Sequence, residues 1–207
     1  MLLFAHILHF CALNYLFMAI NIAILASGSG SNAEKIIKHL RNKEIGTVKA
    51  VISNKKDAFV LQRAANLGVK SYVFNKKEWE SGKNIIHLLS ELHIDFIVLA
   101  GFLLKVPKSL IDNYTNRIIN IHPALLPKFG GKGMYGDFVH QAVLTSKETE
   151  SGITIHYVNE EYDQGSIILQ KKCPVYPNDT VSTLATRIHT LEHTYFPLVV
   201  EELISKL

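Results

Sequence analysis

Residues 118–127 read Ile-Ile-Asn-Ile-His-Pro-Ala-Leu-Leu-Pro, and this stretch decides both the fold and the candidate site. Its first half is an apolar run of the kind found in buried strands. Side chains alternate between the two faces of a strand, so Asn120 and His122 are predicted to face the same way. Pro123 and Pro127 end the strand and restrict the loop that follows. We interpret an amide beside an imidazole, at a strand end, as a candidate reaction centre.

The stretches on either side of this strand predict an α/β fold. Strand patterns alternate with helical patterns up to about residue 120, which predicts a doubly wound, mostly parallel, Rossmann-like sheet. One helix of this series is predicted over residues 79–92. Residues 151–158 and 166–173 are predicted to form an antiparallel C-terminal hairpin. A long final helix follows, and we expect Pro197 to kink or divide it.

Length and composition predict one domain over residues 19–207. The chain has 207 residues, of which 48% are hydrophobic and 19% charged, and these values fit a single α/β domain with a sizeable core. Residues 1–18 are apolar and contain no Asp, Glu, Lys or Arg. They lack the basic region of a secretory signal and are shorter than the roughly 20 residues of a membrane span. We interpret them as a leader outside the fold, with a membrane anchor as the alternative.

Charge and cysteine content indicate which classes of molecule the protein binds. The net charge is +4, and no run of Lys and Arg is interleaved with aromatic residues, which favours small anionic ligands over nucleic acid. Cys11 and Cys173 provide neither a disulfide framework nor metal-ligand spacing. We therefore expect a cytoplasmic protein, monomer or homodimer, that acts on small molecules and uses no metal, nucleic acid or membrane partner.

A glycine-rich turn follows the first predicted strand. Residues 28–32 read Gly-Ser-Gly-Ser-Asn and precede a helix, a geometry in which backbone N–H groups bind phosphate. A tight turn with Ser or Asn capping the helix is the alternative. With Ala33 the turn reads G-x-G-x-x-A, a loose dinucleotide fingerprint. The second strand, however, ends in Ser53-Asn54 rather than in an acid for the ribose, which weakens a dinucleotide site. Lys55 and Lys56 are interpreted as a solvated loop.

Three further features lie near the reaction centre. The bend Ala100-Gly101-Phe102 follows a central strand and predicts either a pocket wall or simple helix–sheet packing. Residues 128–136 contain four glycines, which predicts a flap that is mobile or tightly folded.

Asp163 follows a hairpin strand and is the best-placed acid to orient His122 and raise its pKa. No Ser or Cys lies in a nucleophile elbow, which favours direct acyl transfer to an external nucleophile. A structural histidine and a turn-forming aspartate are the alternatives.

Taken together, Asn120-Ile121-His122-Pro123, Leu125-Leu126-Pro127, Asp163-Gln164-Gly165 and the turn at 28–32 resemble the folate-dependent formyltransferases, from about residue 20 to the C-terminus. The resemblance implies transfer of the formyl group of 10-formyltetrahydrofolate, as formyl-donor cosubstrate, to the amine of 5-phosphoribosylglycinamide in de novo purine biosynthesis. It assigns catalysis to Asn120, His122 and Asp163. Asn120 and protonated His122 would stabilise the oxyanion, and Asp163 would raise the pKa of His122.

The resemblance also implies the binding residues. Those expected to bind the ribonucleotide are Gly30, Ser31, Asn32, His189 and Glu192, where His189 replaces the family's frequent Gln. Those expected to bind folate are Leu103, Leu104, Lys105, Val106, Asn120, Asn159, Glu160, Glu161, Tyr162 and Asp163. Thr154 and His156 are expected to line the site from their strand as supporting residues. The Leu126–Pro127 bond is expected to be cis.

Two other activities remain alternatives. Formyltetrahydrofolate deformylase shares the three catalytic residues with this family, and turnover of the folate without an acceptor would favour it. An NAD(P)-binding oxidoreductase belongs to a different class and rests on G-x-G-x-x-A alone. It would not depend on His122.

Overall fold

The structure is a computed structural model that describes residues 19–207, so the predicted apolar leader at 1–18 lies outside the described residues. Residues 19–207 form seven strands and seven helices, in the order β1 Ile20–Leu25, α1 Ser31–Leu40, β2 Gly46–Ser53, α2 Phe59–Asn66, β3 Lys70–Val73, α3 Lys76–Ser81, α4 Lys83–Glu91, β4 Phe96–Leu99, α5 Lys108–Asn113, β5 Ile118–His122, α6 Asp137–Thr145, β6 Glu150–Tyr157, β7 Ile167–Pro174 and α7 Val181–Ile204.

The strands form one sheet in the order β3-β2-β1-β4-β5-β6-β7. Neighbours from β3 to β5 pair in parallel, whereas β5–β6 and β6–β7 pair antiparallel. The predicted doubly wound sheet, the C-terminal hairpin and the long final helix are therefore confirmed. The chain winds outward in opposite directions from β1 and β4, and in such sheets ligands bind beyond the carboxyl ends of the strands at this switch point.

Alternating side chains build a separate apolar core on each face of the sheet. Ile22 and Ile24 of β1 face one core, which also contains residues of α1, α2, α6 and α7. Ala23 and Leu25 face the other, which contains residues of α3, α4 and α5. Both faces of β1 are thus buried, which explains its nearly continuous apolar sequence.

The structure corrects one helix prediction and excludes one of the two effects predicted for Pro197. The helix predicted over residues 79–92 is two helices, α3 and α4, because Gly82 between them adopts φ 70°. α3 also begins earlier than predicted, at a capping box in which Asn75 and Glu78 bond each other's backbone N–H groups. Pro197 does not divide α7, which is one helix with this proline on its buried side.

The pairing of β5 with β6 positions the candidate site. Asn120 pairs with His156 and His122 pairs with Thr154, so these four residues lie on two adjacent strands. Beyond β5 the Leu126–Pro127 peptide bond is cis, as predicted. Polar groups from two strands and the exit loop therefore meet at the carboxyl end of β5.

Candidate active site

A cavity of about 610 Å³ lies beyond the carboxyl ends of β1, β4 and β5. Ala100, Gly101 and Phe102 form part of its wall, as one interpretation of this bend predicts. All eight residues predicted for catalysis and ribonucleotide binding line it together: Gly30, Ser31, Asn32, Asn120, His122, Asp163, His189 and Glu192. Segments far apart in the sequence thus converge on one space.

A second cavity of about 70 Å³ adjoins the first, and both are lined by Phe102, Asn120, Tyr162 and Asp163. Its other predicted folate-binding residues are Leu104, Lys105, Val106, Asn159 and Glu161, and His156 lines it as well. Leu103 lines the larger cavity instead. Glu160 lines neither and hydrogen-bonds Lys108 at the surface.

Thr154 does not line either cavity, contrary to the expectation from its strand position. Its side chain is fully buried, and its hydroxyl donates to the carbonyl of Ala124 at 2.7 Å. The same oxygen accepts from the Leu126 N–H at 3.0 Å and from the Gln170 amide at 2.9 Å. The loop after β5 therefore occupies its polar group, and Thr154 supports the site by fixing that loop.

The imidazole of His122 lies between two acceptors. Its Nε2 is 2.7 Å from the carbonyl oxygen of Phe129, and its Nδ1 is 3.5 Å from Oδ2 of Asp163. A carbonyl oxygen can only accept, so Nε2 carries a hydrogen whether the ring is neutral or charged. Nδ1 is therefore the nitrogen that gains or loses a proton, and the Asp163 carboxylate faces it.

Burial is the largest influence on the pKa of His122. It lowers the pKa of this imidazole, and the raising effects of the Asp163 carboxylate and the Phe129 carbonyl do not compensate, so the net pKa lies below its usual value. The Asp163 carboxylate acts to raise the pKa of His122 but does not outweigh burial. Burial also opposes ionisation of Asp163, but His156, His122 and the Gly131 N–H outweigh it and lower the pKa of this carboxyl.

The amide of Asn120 is oriented by His156. Nδ1 of His156 lies 2.8 Å from the carbonyl of Tyr157, which can only accept, so Nδ1 carries a hydrogen. In the neutral ring Nε2 is then an acceptor, and Nδ2 of Asn120 donates to it at 3.1 Å. The second hydrogen on Nδ2 faces Oδ1 of Asp163 at a long 3.4 Å. Asn120 thus retains one weakly engaged donor beside the cavity.

The glycine-rich segment after β5 is folded against Asp163. The N–H of Gly131 donates to Oδ2 of Asp163 at 2.8 Å, and Asp163 itself adopts φ 55°, a conformation that Asp tolerates better than most residues. Residues 131–136 then line the larger cavity. This arrangement agrees with a tightly folded flap, one of the two forms predicted. The backbone N–H of Gly131 in this flap bonds Asp163, the acid proposed for catalysis.

The other end of the cavity is the N-terminus of α1. Gly30 is its N-cap with φ 74°, and no side chain caps the helix. A Cβ on Gly30 would overlap the side chain of Val60, so this position requires glycine for space as well as for conformation. The alternative in which Ser or Asn caps the helix is therefore not observed. Uncapped N–H groups at a helix N-terminus are a favourable site for an anion.

Glu192 provides a buried carboxylate beside that helix end. Its Oε2 accepts from Nδ2 of Asn32 at 2.9 Å and lies 3.0 Å from Nδ1 of His189. Hydrogen bonding to this carboxylate raises the pKa of His189. The Oδ1 atom of Asn32 is buried and has no hydrogen-bond partner within the part of the chain that the structure describes. These groups form a polar wall between the helix end and the three proposed catalytic residues.

Several residues of the larger cavity were not predicted. Lys55, interpreted as part of a solvated loop, lines it, as do Lys132 of the flap and His140 of α6. Their sequence surroundings match no motif, and only the packing of distant segments places them here. The two lysines add positive charge, which favours an anionic ligand.

Nowhere in residues 19–207 do three or more His, Cys, Asp or Glu side chains group so that they could hold a metal ion. The described helices include none with the length and apolar character needed to cross a membrane. Cys173 is buried and forms no disulfide with any of the described residues.

Comparison with known proteins gives a consistent result. The sequence profile described as "Formyl transferase" matches residues 20–200. Curated relatives include phosphoribosylglycinamide formyltransferase of Escherichia coli K12, 37% identical over 185 residues that cover 87% of this chain and 85% of that protein. The chloroplastic enzyme of the same name from Arabidopsis thaliana is 42% identical over 185 residues, and the match covers 86% of this chain but 63% of that protein.

A solved structure agrees with the sequence comparison. The phosphoribosylglycinamide formyltransferase of Streptococcus pneumoniae TIGR4 superposes with a TM-score of 0.80 at 37% identity, covering 89% of this chain and 98% of that one. The profile match, the relatives and the shared fold all lead to the same assignment. The chain belongs to the formyl transferase family.

Proposed function

We propose that this protein transfers the formyl group of 10-formyltetrahydrofolate to the amine of 5-phosphoribosylglycinamide in de novo purine biosynthesis. One observation carries the proposal: Asn120, His122 and Asp163 open onto the same cavity as the uncapped N-terminus of α1. A phosphorylated acceptor can thus place its anionic end and its reacting end in one space. Family membership favours this reaction over the NAD(P)-dependent oxidoreductase that G-x-G-x-x-A alone allowed.

The geometry supports a defined orientation of the two substrates. The phosphate would bind at Gly30, Ser31 and Asn32, where the helix N–H groups are free. The glycinamide would then extend along His189 and Glu192 towards the three catalytic residues. The folate would enter through the smaller cavity, whose apolar residues Leu104 and Val106 suit a flat ring. Its formyl group would meet the amine at Asn120 and Asp163, which both cavities share.

In the proposed reaction the amine of the acceptor attacks the formyl carbon, and the carbonyl oxygen becomes an oxyanion. The weakly engaged hydrogen of Asn120 is a donor for this oxyanion, and protonated His122 adds a second. Nδ1 is the proton-carrying nitrogen of His122, and Asp163 stabilises the charge that forms there. The intermediate collapses by breaking the bond to the folate nitrogen. One proton leaves the attacking amine and one proton reaches the leaving nitrogen.

The low pKa of His122 is compatible with this role. A ring that is mostly neutral at neutral pH can accept the proton that the amine loses. The adjacent Asp163 carboxylate stabilises the charged ring, but not so strongly that the ring must stay charged. His122 can therefore act in both proton movements through Nδ1, with Asp163 as its counter-charge and His156 holding Asn120 in place.

We also propose that the protein acts in the cytoplasm, as a monomer or homodimer, on small molecules. Cys173, which forms no disulfide with any of the described residues, is compatible with a reducing compartment. The larger cavity, of about 610 Å³, is of a size for small ligands.

The proposal is tested by incubating the purified protein with 10-formyltetrahydrofolate, with and without 5-phosphoribosylglycinamide. We expect tetrahydrofolate and the formylated ribonucleotide to form in equal amounts, and only when both substrates are present. Release of formate without the acceptor would instead identify a deformylase. His122→Ala should remove the activity, while Glu148→Gln, which alters a carboxylate that bonds Lys128 outside both cavities, should retain it.

A further inference from the structure

His140 is a buried histidine that the proposed reaction has not used. It lies in α6, is 2% exposed, and its ring forms part of the wall of the larger cavity. α6 packs against α7, the helix that carries His189 and Glu192. The ring of His140 therefore belongs to the wall proposed for the ribonucleotide, although its position in the sequence is remote from every motif.

The Nδ1 atom of His140 is covered and has no hydrogen-bond partner among residues 19–207. Buried polar atoms are nearly always bonded to protein, water or a ligand, so an unpartnered one in a cavity wall indicates a missing partner. Rotation of the ring by half a turn exchanges nitrogen and carbon positions without changing the shape that the ring fills. Either nitrogen can thus be offered to a molecule in the cavity.

The surroundings of His140 decide which ligand groups it can bind. Burial lowers its pKa, and the positive charge of His189 lowers it further, whereas the carboxylates of Glu192 and Asp137 act in the opposite sense. The net pKa lies below the usual value, which favours the neutral ring. A neutral imidazole has one donor and one acceptor, which suits amide and hydroxyl groups rather than a phosphate.

We propose that His140 hydrogen-bonds the acceptor substrate in the larger cavity, at the ribose hydroxyls or the glycinamide amide between the phosphate and the reacting amine. This inference rests on the proposed function, because it names a further contact to the same ribonucleotide. It adds a neutral contact to the charged one that Glu192 provides. His140 thereby becomes a specificity-determining residue for the acceptor and has no part in binding the folate.

The test uses the full chain and three variants. His140→Phe keeps the ring shape and removes both nitrogens, His140→Gln restores a donor and an acceptor, and Gln141→Ala changes the exposed neighbour on the same helix. Binding of 5-phosphoribosylglycinamide alone and of a folate donor analogue alone is measured by titration calorimetry. Steady-state kinetics then give KM and kcat for each substrate. Thermal unfolding shows whether each variant is folded.

We expect His140→Phe to weaken ribonucleotide binding and raise its KM about tenfold, with binding of the folate analogue unchanged. His140→Gln should recover part of the affinity, and Gln141→Ala should behave as the wild type. Unchanged ribonucleotide affinity in His140→Phe, or equal losses for both ligands, would overturn the inference. If His140→Phe does not fold, an unchanged ribonucleotide KM in a folded His140→Ala variant, which also lacks both ring nitrogens, would overturn it as well.

The same measurements separate this inference from the proposed function. If the wild type binds and formylates the ribonucleotide and His140→Phe does so equally well, only the role of His140 is contradicted. A wild type that neither binds nor formylates the ribonucleotide would remove both.

Discussion

Nδ1 of His122 lies 3.5 Å from Oδ2 of Asp163, although 41 positions separate the two residues in the chain. His122 ends β5, and Asp163 lies in the turn between β6 and β7 with φ 55°. The Gly131 N–H holds the same carboxylate oxygen at 2.8 Å. The pair is thus fixed by a strand end, a turn and a flap, and its charge balance can be tested directly.

Asp163→Asn should lower the pKa of His122 further and reduce kcat by about 10²–10⁴. The carboxylate raises that pKa in the wild type, so its removal leaves burial unopposed. NMR titration of the His122 ring gives the pKa, and initial rates give kcat. Glu148→Gln serves as a control that leaves both unchanged. A pKa that rises or stays constant in Asp163→Asn would contradict the assigned interaction.

His156→Leu should reduce kcat about tenfold or more, because Asn120 loses the acceptor that orients its amide. The substrate KM values should change little. His156→Gln, which can still accept, should retain more activity. In a double-mutant cycle with Asn120→Ala, the two losses should be less than additive in free energy. Full additivity would show that His156 acts independently of Asn120.

Gly30→Ala should raise the KM for the ribonucleotide and reduce the free energy of unfolding by roughly 1–3 kcal/mol. The added Cβ would overlap Val60 and occupy a left-handed conformation. Gly68→Ala is the matched control, because Gly68 has φ +70° but no atom within 4 Å of an added Cβ. Gly68→Ala should show only the smaller loss from backbone strain and a normal KM. Equal effects in both variants would exclude a contribution from the Val60 contact.

Asp179→Asn should remove a pH-dependent part of the stability. Arg187 donates to both carboxylate oxygens of Asp179, at 2.8 and 3.0 Å, and this pairing is the largest cause of its strongly lowered pKa. The folded pKa lies below the unfolded value of about 3.9, so the stabilisation is present above that pH and lost as the pH falls towards the folded pKa.

Urea unfolding at pH 7 and pH 3 measures this contribution. At pH 7 the Asp179→Asn variant should be less stable by about 1 kcal/mol, and the difference should shrink at pH 3. Asp112→Asn, which removes an exposed carboxylate from an ion pair with Lys108, should change little at either pH. A difference that is the same at both pH values would show that the charge of Asp179 does not matter.

Strand β5 shows what the sequence could predict. Its predicted bounds, 118–122, agree with the structure, because an apolar run buried on both faces ends at a proline. The shared orientation of Asn120 and His122 follows from the strand period alone. By contrast, the division between α3 and α4 depends on the left-handed conformation of Gly82. The helical pattern of apolar residues continues across this glycine and therefore gives no sign of the break.

Thr154 and His140 show why other parts of the site could not be predicted. The strand period assigns Thr154 to a face but does not reveal that the loop at Ala124 and Leu126 would cover it. His140 lies on an amphipathic helix, and nothing local indicates that this helix would pack beside a cavity. Both outcomes depend on contacts between segments that are distant in the sequence.

The register of β5 against β6 determines which parts of this chain can change in length and sequence. Asn120 pairs with His156 and His122 with Thr154 through backbone bonds alone, whatever the shape of the chain that joins the two strands. The part of that connection beyond Gly131, whose N–H bonds Asp163, can therefore lengthen or shorten while Asn120 and His122 keep their spacing from His156 and Thr154. Its residues are free to diversify acceptor recognition, and engineering of acceptor preference would begin there rather than in the strands.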